Sequence, residues 1–129
     1  MKRILKILVA VIGILLALVL IMFIKSDRDI KNLEYHETDL NEVEDGVYRG
    51  KAETTFVKVE VEVEVKDHKI VRIDLLKHDN GLGKEAERIT EDMISMNTYE
   101  VDAVSGATSS SEVIKSAVSD ALANGKKNK

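Results

Sequence analysis

Residues Ile7 to Ile24 form 18 consecutive positions without a charged or polar side chain. A soluble amphipathic helix of that length carries a polar stripe, and this run has none. It approaches the roughly 20 residues that a helix needs to cross a bilayer. Lys2, Arg3 and Lys6 precede it, and Lys25, Asp27, Arg28 and Asp29 follow. Unopposed positive charge on the N-terminal side predicts a cytoplasmic amino end, with the remainder outside. The competing reading is a cleaved signal peptide, which has a shorter apolar region of about 7–15 residues and a small-residue cleavage site. Lys25-Ser26-Asp27-Arg28 supplies no such site. Residues 1–25 are therefore read as a transmembrane anchor in the cell membrane. Both readings export the rest of the chain.

The exported part is acidic. Without Lys2, Arg3, Lys6 and Lys25, the 19 basic residues fall to 15 against 23 acidic ones, a net charge of −8. That balance speaks against nucleic acid or anionic lipid as a partner. The chain has no cysteine, so it has no disulfide, thiolate ligand or lipid-bearing thiol, and the helix must anchor it alone.

Residues 26–45 are polar and charge-dense, with no regular apolar stripe, and read as a stalk that continues the anchor by a helical turn or two. Val47-Tyr48-Arg49-Gly50 reads as a short strand entered through the Asp45-Gly46 turn. The clearest periodicity follows: Val57, Val59, Val61, Val63 and Val65 alternate with Lys58, Glu60, Glu62 and Glu64. Period two with β-branched residues predicts a strand with one buried and one wet face. A third strand is expected from Lys69 to about Leu76. A two-residue turn at Asp67-His68 sets Val63 opposite Arg72. A three-residue loop, Lys66 to His68, instead pairs Val63 with Val71 and Glu62 with Arg72, and is preferred. His68 then takes the left-handed position as a structural residue rather than a metal ligand.

Two helices complete the pattern. Ala86, Ile89, Met93 and Met96 recur at helical spacing, so 84–96 is expected to pack one side on the sheet. Val113, Ile114, Ala117, Val118, Ala121 and Leu122 form a cleaner stripe that ends at Asn124-Gly125. Residues 125–129 read as a disordered tail. Strands first and helices later make the domain at 46–124 α+β, an antiparallel sheet packed by two helices behind an N-terminal transmembrane helix. A domain of this size buries a modest core, which a bound cofactor would complete.

The stretch that carries chemistry is Asp102-Ala103-Val104-Ser105-Gly106-Ala107-Thr108-Ser109-Ser110-Ser111-Glu112. Its plain reading is a capping box, Ser109 bonding the Glu112 amide and Glu112 reaching back. The sharper reading uses the same geometry: a helix N-terminus with free amides and a partial positive charge holds a phosphate. Gly106 and Ala107 let backbone approach a ligand closely, and Thr108 presents a hydroxyl just outside the first turn.

These residues resemble the D-x-x-S/T-G-A-T flavinylation motif of FMN-binding domains, found in subunits of sodium-pumping quinone reductases and in many small exported flavoproteins. The resemblance covers roughly Asp45 to Ala123. It implies that a dedicated flavin transferase takes FMN from FAD and links its phosphate to Thr108. It further implies that Ser105, Gly106, Ala107 and Ser109 surround the phosphate and ribityl chain, and that Asp102 serves the transferase; the plain alternative for Asp102 is a loop-capping carboxylate. His78-Asp79-Asn80-Gly81-Leu82-Gly83 is similar to the family's H-x-E-T-P-G-L-G loop near the flavin ring, without its Glu, Thr and Pro. Gly81 and Gly83 permit close backbone approach, Leu82 would pack on the ring, and His78 would lie beside it.

Other chemistries lack their residues. There is no Walker-type loop, no H-E-x-x-H and no G-x-G-x-x-G after a strand. Three scattered histidines give no base for a hydrolytic Ser105 or Thr108, and no metal site is expected. The expected function is an extracytoplasmic electron carrier between a membrane redox donor and an acceptor outside. The alternatives are a flavin-dependent reductase of a small substrate, for which no nicotinamide site is visible, and a non-redox partner subunit.

Overall fold

A computed structural model of the chain describes residues 1–79 and 84–126. An apolar helix, α1 (Lys2–Lys31), precedes three strands, β1 (Gly46–Glu53), β2 (Lys58–Lys66) and β3 (Lys69–Asp79). A 3-10 segment (Lys84–Arg88) leads into α2 (Ile89–Met96), and α3 (Thr108–Asn124) follows. The architecture is the expected α+β one: an antiparallel sheet of order β1-β2-β3 with helices behind it. No residue of α1 is buried by the rest of the chain, and the helix is long and apolar enough to cross a membrane.

The alternation in β2 sends Val59, Val61, Val63 and Val65 into the core and leaves the lysines and glutamates outside or half-covered. Across from them α3 presents Val113, Ile114, Ala117, Val118, Ala121 and Leu122, all buried. Small residues let this helix come very close to β1. A Cβ on Gly50 would sit 2.9 Å from Ala121 Cα and nearer still to the Ala117 carbonyl oxygen. The helix also satisfies the free edge of β1: Lys51 N–H donates to Asp120 (3.0 Å), and Asn124 Nδ2 donates to the Arg49 carbonyl (2.7 Å). Those groups would otherwise template pairing with another chain.

The β2–β3 hairpin departs from the expected three-residue loop. Lys66 pairs with Lys69 across a two-residue turn, with Asp67 at φ 52° and His68 at φ 62°, the primed geometry that suits strand twist. The mismatch this turn creates is absorbed by a bulge at Val71, after which Glu64 pairs with Arg72 and Val63 with Ile73. Arg72 still reaches Glu62, with Nη2 at 3.3 Å, as well as Glu64, with Nε at 3.1 Å. His68 is structural, its Nδ1 3.0 Å from the Leu40 carbonyl oxygen. The 84–96 helix is also divided, and Met96 is exposed rather than packed, because Asn97 ends the helix in the left-handed conformation. Asn97 then bridges to β3, accepting from Ile70 N–H at 2.8 Å and donating to the His68 carbonyl at 3.2 Å.

Between α1 and β1 the chain lies along α3. Ser116 Oγ donates to the Glu34 carbonyl (2.6 Å), Tyr35 Oη bonds Glu112, and His36 N–H donates to Ser119 Oγ (3.3 Å). The Tyr35 ring stacks on Tyr99 with centroids 6.2 Å apart. Val43 is fully buried and pairs with Lys126 beyond the end of α3.

Candidate functional site

The loop before α3 is held from both ends. Val101 and Val104 are buried in the core, while Ser105 and Gly106 are exposed. Ala107 N–H donates to the Val104 carbonyl at 2.9 Å, and Gly106 has φ +82°. That is a turn whose third residue needs a positive φ, which glycine adopts without strain. A Cβ at Gly106 would meet no protein atom, so backbone conformation, not crowding by the protein, demands glycine.

Ser111 completes the loop and carries no functional reading from the sequence. Its buried hydroxyl donates to the Ala107 carbonyl (2.7 Å) and accepts from Val104 N–H (3.0 Å). The available signal was its phase, since Ser111 extends the buried stripe of Ile114 and Val118 by one turn. The expected capping box does not form. The helix begins at Thr108 with Ala107 as its N-cap and no side-chain cap, and Glu112 turns instead to Tyr35 and to Lys115 Nζ at 3.4 Å. The Ala107 carbonyl takes both the Ser111 amide and its hydroxyl, which starts the helix before Ser109 and leaves that residue inside it.

Thr108 is therefore the first helical residue, with an exposed side chain. The first amides of an α-helix have no acceptor within it and carry its positive end. Ser109 is half-covered beside them, and Asp102 is exposed with no hydrogen bond among the described residues. The loop-capping role is therefore not seen for Asp102.

His78 reaches the core side of the sheet through a second bulge. Val61 pairs with Leu75 and Glu60 with Lys77, so Leu76 is the extra residue and the phase of β3 reverses beyond it. His78 then pairs with Val59, and its side chain is 4% exposed. Nδ1 lies 3.1 Å from Glu87 Oε1 in the 3-10 segment. An ionised carboxylate only accepts, so with neutral imidazole the proton sits on Nδ1 and Nε2 presents a lone pair. That buried Nε2 has no hydrogen-bond partner among the described residues. Glu87 is a second residue that sequence reasoning missed; nothing in spacing links it to His78. Gly81, Leu82 and Gly83 lie outside the described residues.

Topology puts these features at one end of the domain. Tyr48 packs at Gly125, Arg49 bonds Asn124 and Gly50 meets Ala117 and Ala121, so α3 runs antiparallel to β1. From Ala117 back to Thr108 the helix rises about 13 Å at roughly 1.5 Å per residue. From Gly50 to Glu53 the strand covers about 10 Å at roughly 3.3 Å per residue. Thr108 thus emerges near the rim formed by Glu53, Lys58 and Asp79, which pair in register beside Val59 and His78. A cavity of about 690 Å³, lined by Leu40, His68, Asn97 and Leu122 among others, shares no residue with the 102–108 loop and lies toward the Asp67-His68 turn, at the opposite end.

Comparison with known proteins agrees with this layout. The model of the FMN-binding domain matches residues 50–123, more than half of the chain. Among solved structures, the crystal structure of the CPE2226 protein from Clostridium perfringens superposes with a TM-score of 0.53 and 19% identity. It covers 64% of this chain and 88% of that one, and at that identity it speaks for the fold alone. A comparison with curated proteins gives no match. With the family model spanning both the sheet and the loop that leads into α3, the chain belongs to the FMN-binding domain family.

Proposed function

We propose that this protein is a membrane-anchored electron carrier whose FMN is attached through its phosphate to Thr108, with the domain on the outer side of the membrane. The observation that carries the reading is the exposed Thr108 on the first residue of a helix whose N-cap, Ala107, brings no capping side chain. A phosphate at that point meets the positive end of the helix. The residues suit the cofactor at two separated points. Thr108, Ser105, Gly106, Ala107 and Ser109 offer a hydroxyl-rich, unobstructed loop for the phosphate and ribityl chain. At the same rim, the buried Nε2 of His78 has no partner among the described residues and, in the neutral tautomer that Glu87 favours, would accept from a polar group of the cofactor. An orphaned buried acceptor costs about 1–3 kcal/mol, which a ligand would recover.

Attachment from FAD balances as a phosphoryl transfer. Thr108 Oγ1 bonds to the flavin-side phosphorus, the pyrophosphate P–O bond breaks, AMP leaves, and the hydroxyl proton is lost. Asp102, exposed and with no hydrogen bond among the described residues, is available to the transferase. Bound FMN supplies reversible one- and two-electron transfer, while the chain supplies attachment and orientation. The helix α1 is long and apolar enough to span a membrane. Lys2, Arg3 and Lys6 before the apolar run favour an outward domain, between a membrane donor and an acceptor outside.

The test is intact mass after co-expression with a flavin transferase. The expected gain is that of FMN less one water on the native chain and none on Thr108→Ala. An unmodified native chain, where a known target of the same transferase is modified, would sink the covalent reading.

A further inference from the structure

We infer that the rim bearing Thr55-Phe56 and the N-terminus of α3 rests on the bilayer surface, so that the flavin end of the domain faces the lipid. This rests on α1 being a membrane anchor. Two independent contacts fix the direction. Thr55 N–H, in the turn between β1 and β2, donates to Asp29 Oδ2 of α1 at 2.8 Å. Separately, the chain leaving α1 meets α3 through Glu34 at Ser116 and Tyr35 at Glu112. It then passes His36 at Ser119 and reaches Val43, which pairs with Lys126 beyond the last residue of α3. The N-terminal end of α3 is thus the end nearest α1, and the Asp67-His68 turn is the far end.

The apolar run stops at Ile24, and at roughly 1.5 Å per residue Asp29 lies about 7 Å beyond it. The headgroup layer on each side is about 5–7 Å thick, from the difference between the hydrocarbon and whole-bilayer thickness. A turn bonded to Asp29 therefore stands at the outer edge of the headgroups. Its next residue is Phe56, a large apolar side chain left 43% exposed, of the type that surface-bound segments bury at the boundary between headgroups and acyl chains. The rim pairs its own charges, Lys58 with Glu53 (3.5 Å) and Lys77 with Asp79 (3.6 Å). Contact therefore depends on apolar insertion and needs no anionic lipid. A redox partner reaching the flavin at this rim approaches from the membrane side.

The absence of cysteine makes the test clean. Phe56→Cys, Thr55→Cys and Asp67→Cys, each carrying a nitroxide in the full chain, are reconstituted in neutral phosphatidylcholine vesicles. Relaxation by a water-soluble reagent and by oxygen is then compared. The expected result is that residues 55 and 56 lose aqueous access several-fold relative to residue 67 and gain oxygen access. Equal aqueous access at both ends, in protein that floats with the vesicles, overturns the proposal while leaving the anchor intact. Spin–spin broadening at residue 56 assigns the turn to a second copy and overturns it too. Failure to float removes the anchor and this inference with it.

Discussion

Ser111 shows how one buried hydroxyl organises a loop from inside the helix that follows it. Replacing it with alanine leaves the buried Val104 N–H without its acceptor, whereas the Ala107 carbonyl keeps the residue 111 amide. Leaving one such donor unpaired costs about 1–3 kcal/mol. Ser111→Ala is expected to lower the thermal midpoint and, by loosening the loop before Thr108, to reduce the proposed flavin attachment measured by intact mass. Full attachment in a destabilised variant would show that the hydroxyl supports the fold without shaping the site. At this scale the residues of the candidate loop were legible. Ser105, Gly106 and Thr108 announced themselves by type and order. The role of Ser109 and Glu112 did not, because a local capping box and a distant partner leave the same spacing, and Tyr35, 77 residues from Glu112, took the carboxylate.

The close seat of α3 on β1 depends on Gly50, Ala117 and Ala121. Any side chain at residue 50 meets helix backbone rather than the yielding tip of a neighbour. Gly50→Ala is expected to destabilise the domain by about 1–3 kcal/mol, in the range of overpacked cores. The shift should also weaken the Asp120 and Asn124 bonds that cover the β1 edge. Chemical denaturation of the full chain checks the first effect, and loss of amide protection at Lys51 the second; an unchanged midpoint would mean that the helix can slide. The strands themselves were legible, since β2 alternates without a break. The register of β3 was not. Ile70, Ile73, Leu75 and His78 face inward at uneven spacing because Val71 and Leu76 bulge, and a pattern of period two read without bulges assigns the wrong partners. The second bulge matters most, for it turns His78 inward.

At the scale of the whole molecule, the passage from α1 to β1 decides how the domain sits relative to its helix, and two stacked tyrosines hold it. Partial burial and the hydrogen bond to Glu112 push the Tyr35 hydroxyl well above the ordinary tyrosine value of 10.0. Burial, with Glu100 nearby, raises Tyr99 as well. Both phenols keep their protons in the folded chain at a pH where the unfolded chain has lost them. Their contribution is therefore complete below pH 10.0 and is lost as pH climbs through the raised values. Stability of the full chain in micelles should accordingly be flat with respect to these groups up to that point and fall beyond it. Tyr35→Phe should flatten part of the alkaline decline, since phenylalanine preserves the stack on Tyr99 and has no proton to lose. The variant also gives up the bond to Glu112, so its midpoint at neutral pH should lie below that of the native chain, and the two curves should converge as alkali removes the native advantage. Parallel curves across the alkaline range would show that the decline comes from elsewhere. Faster exchange of the His36 amide above pH 10.0, ahead of amides in β2, would trace the loosening to the contact between this segment and α3.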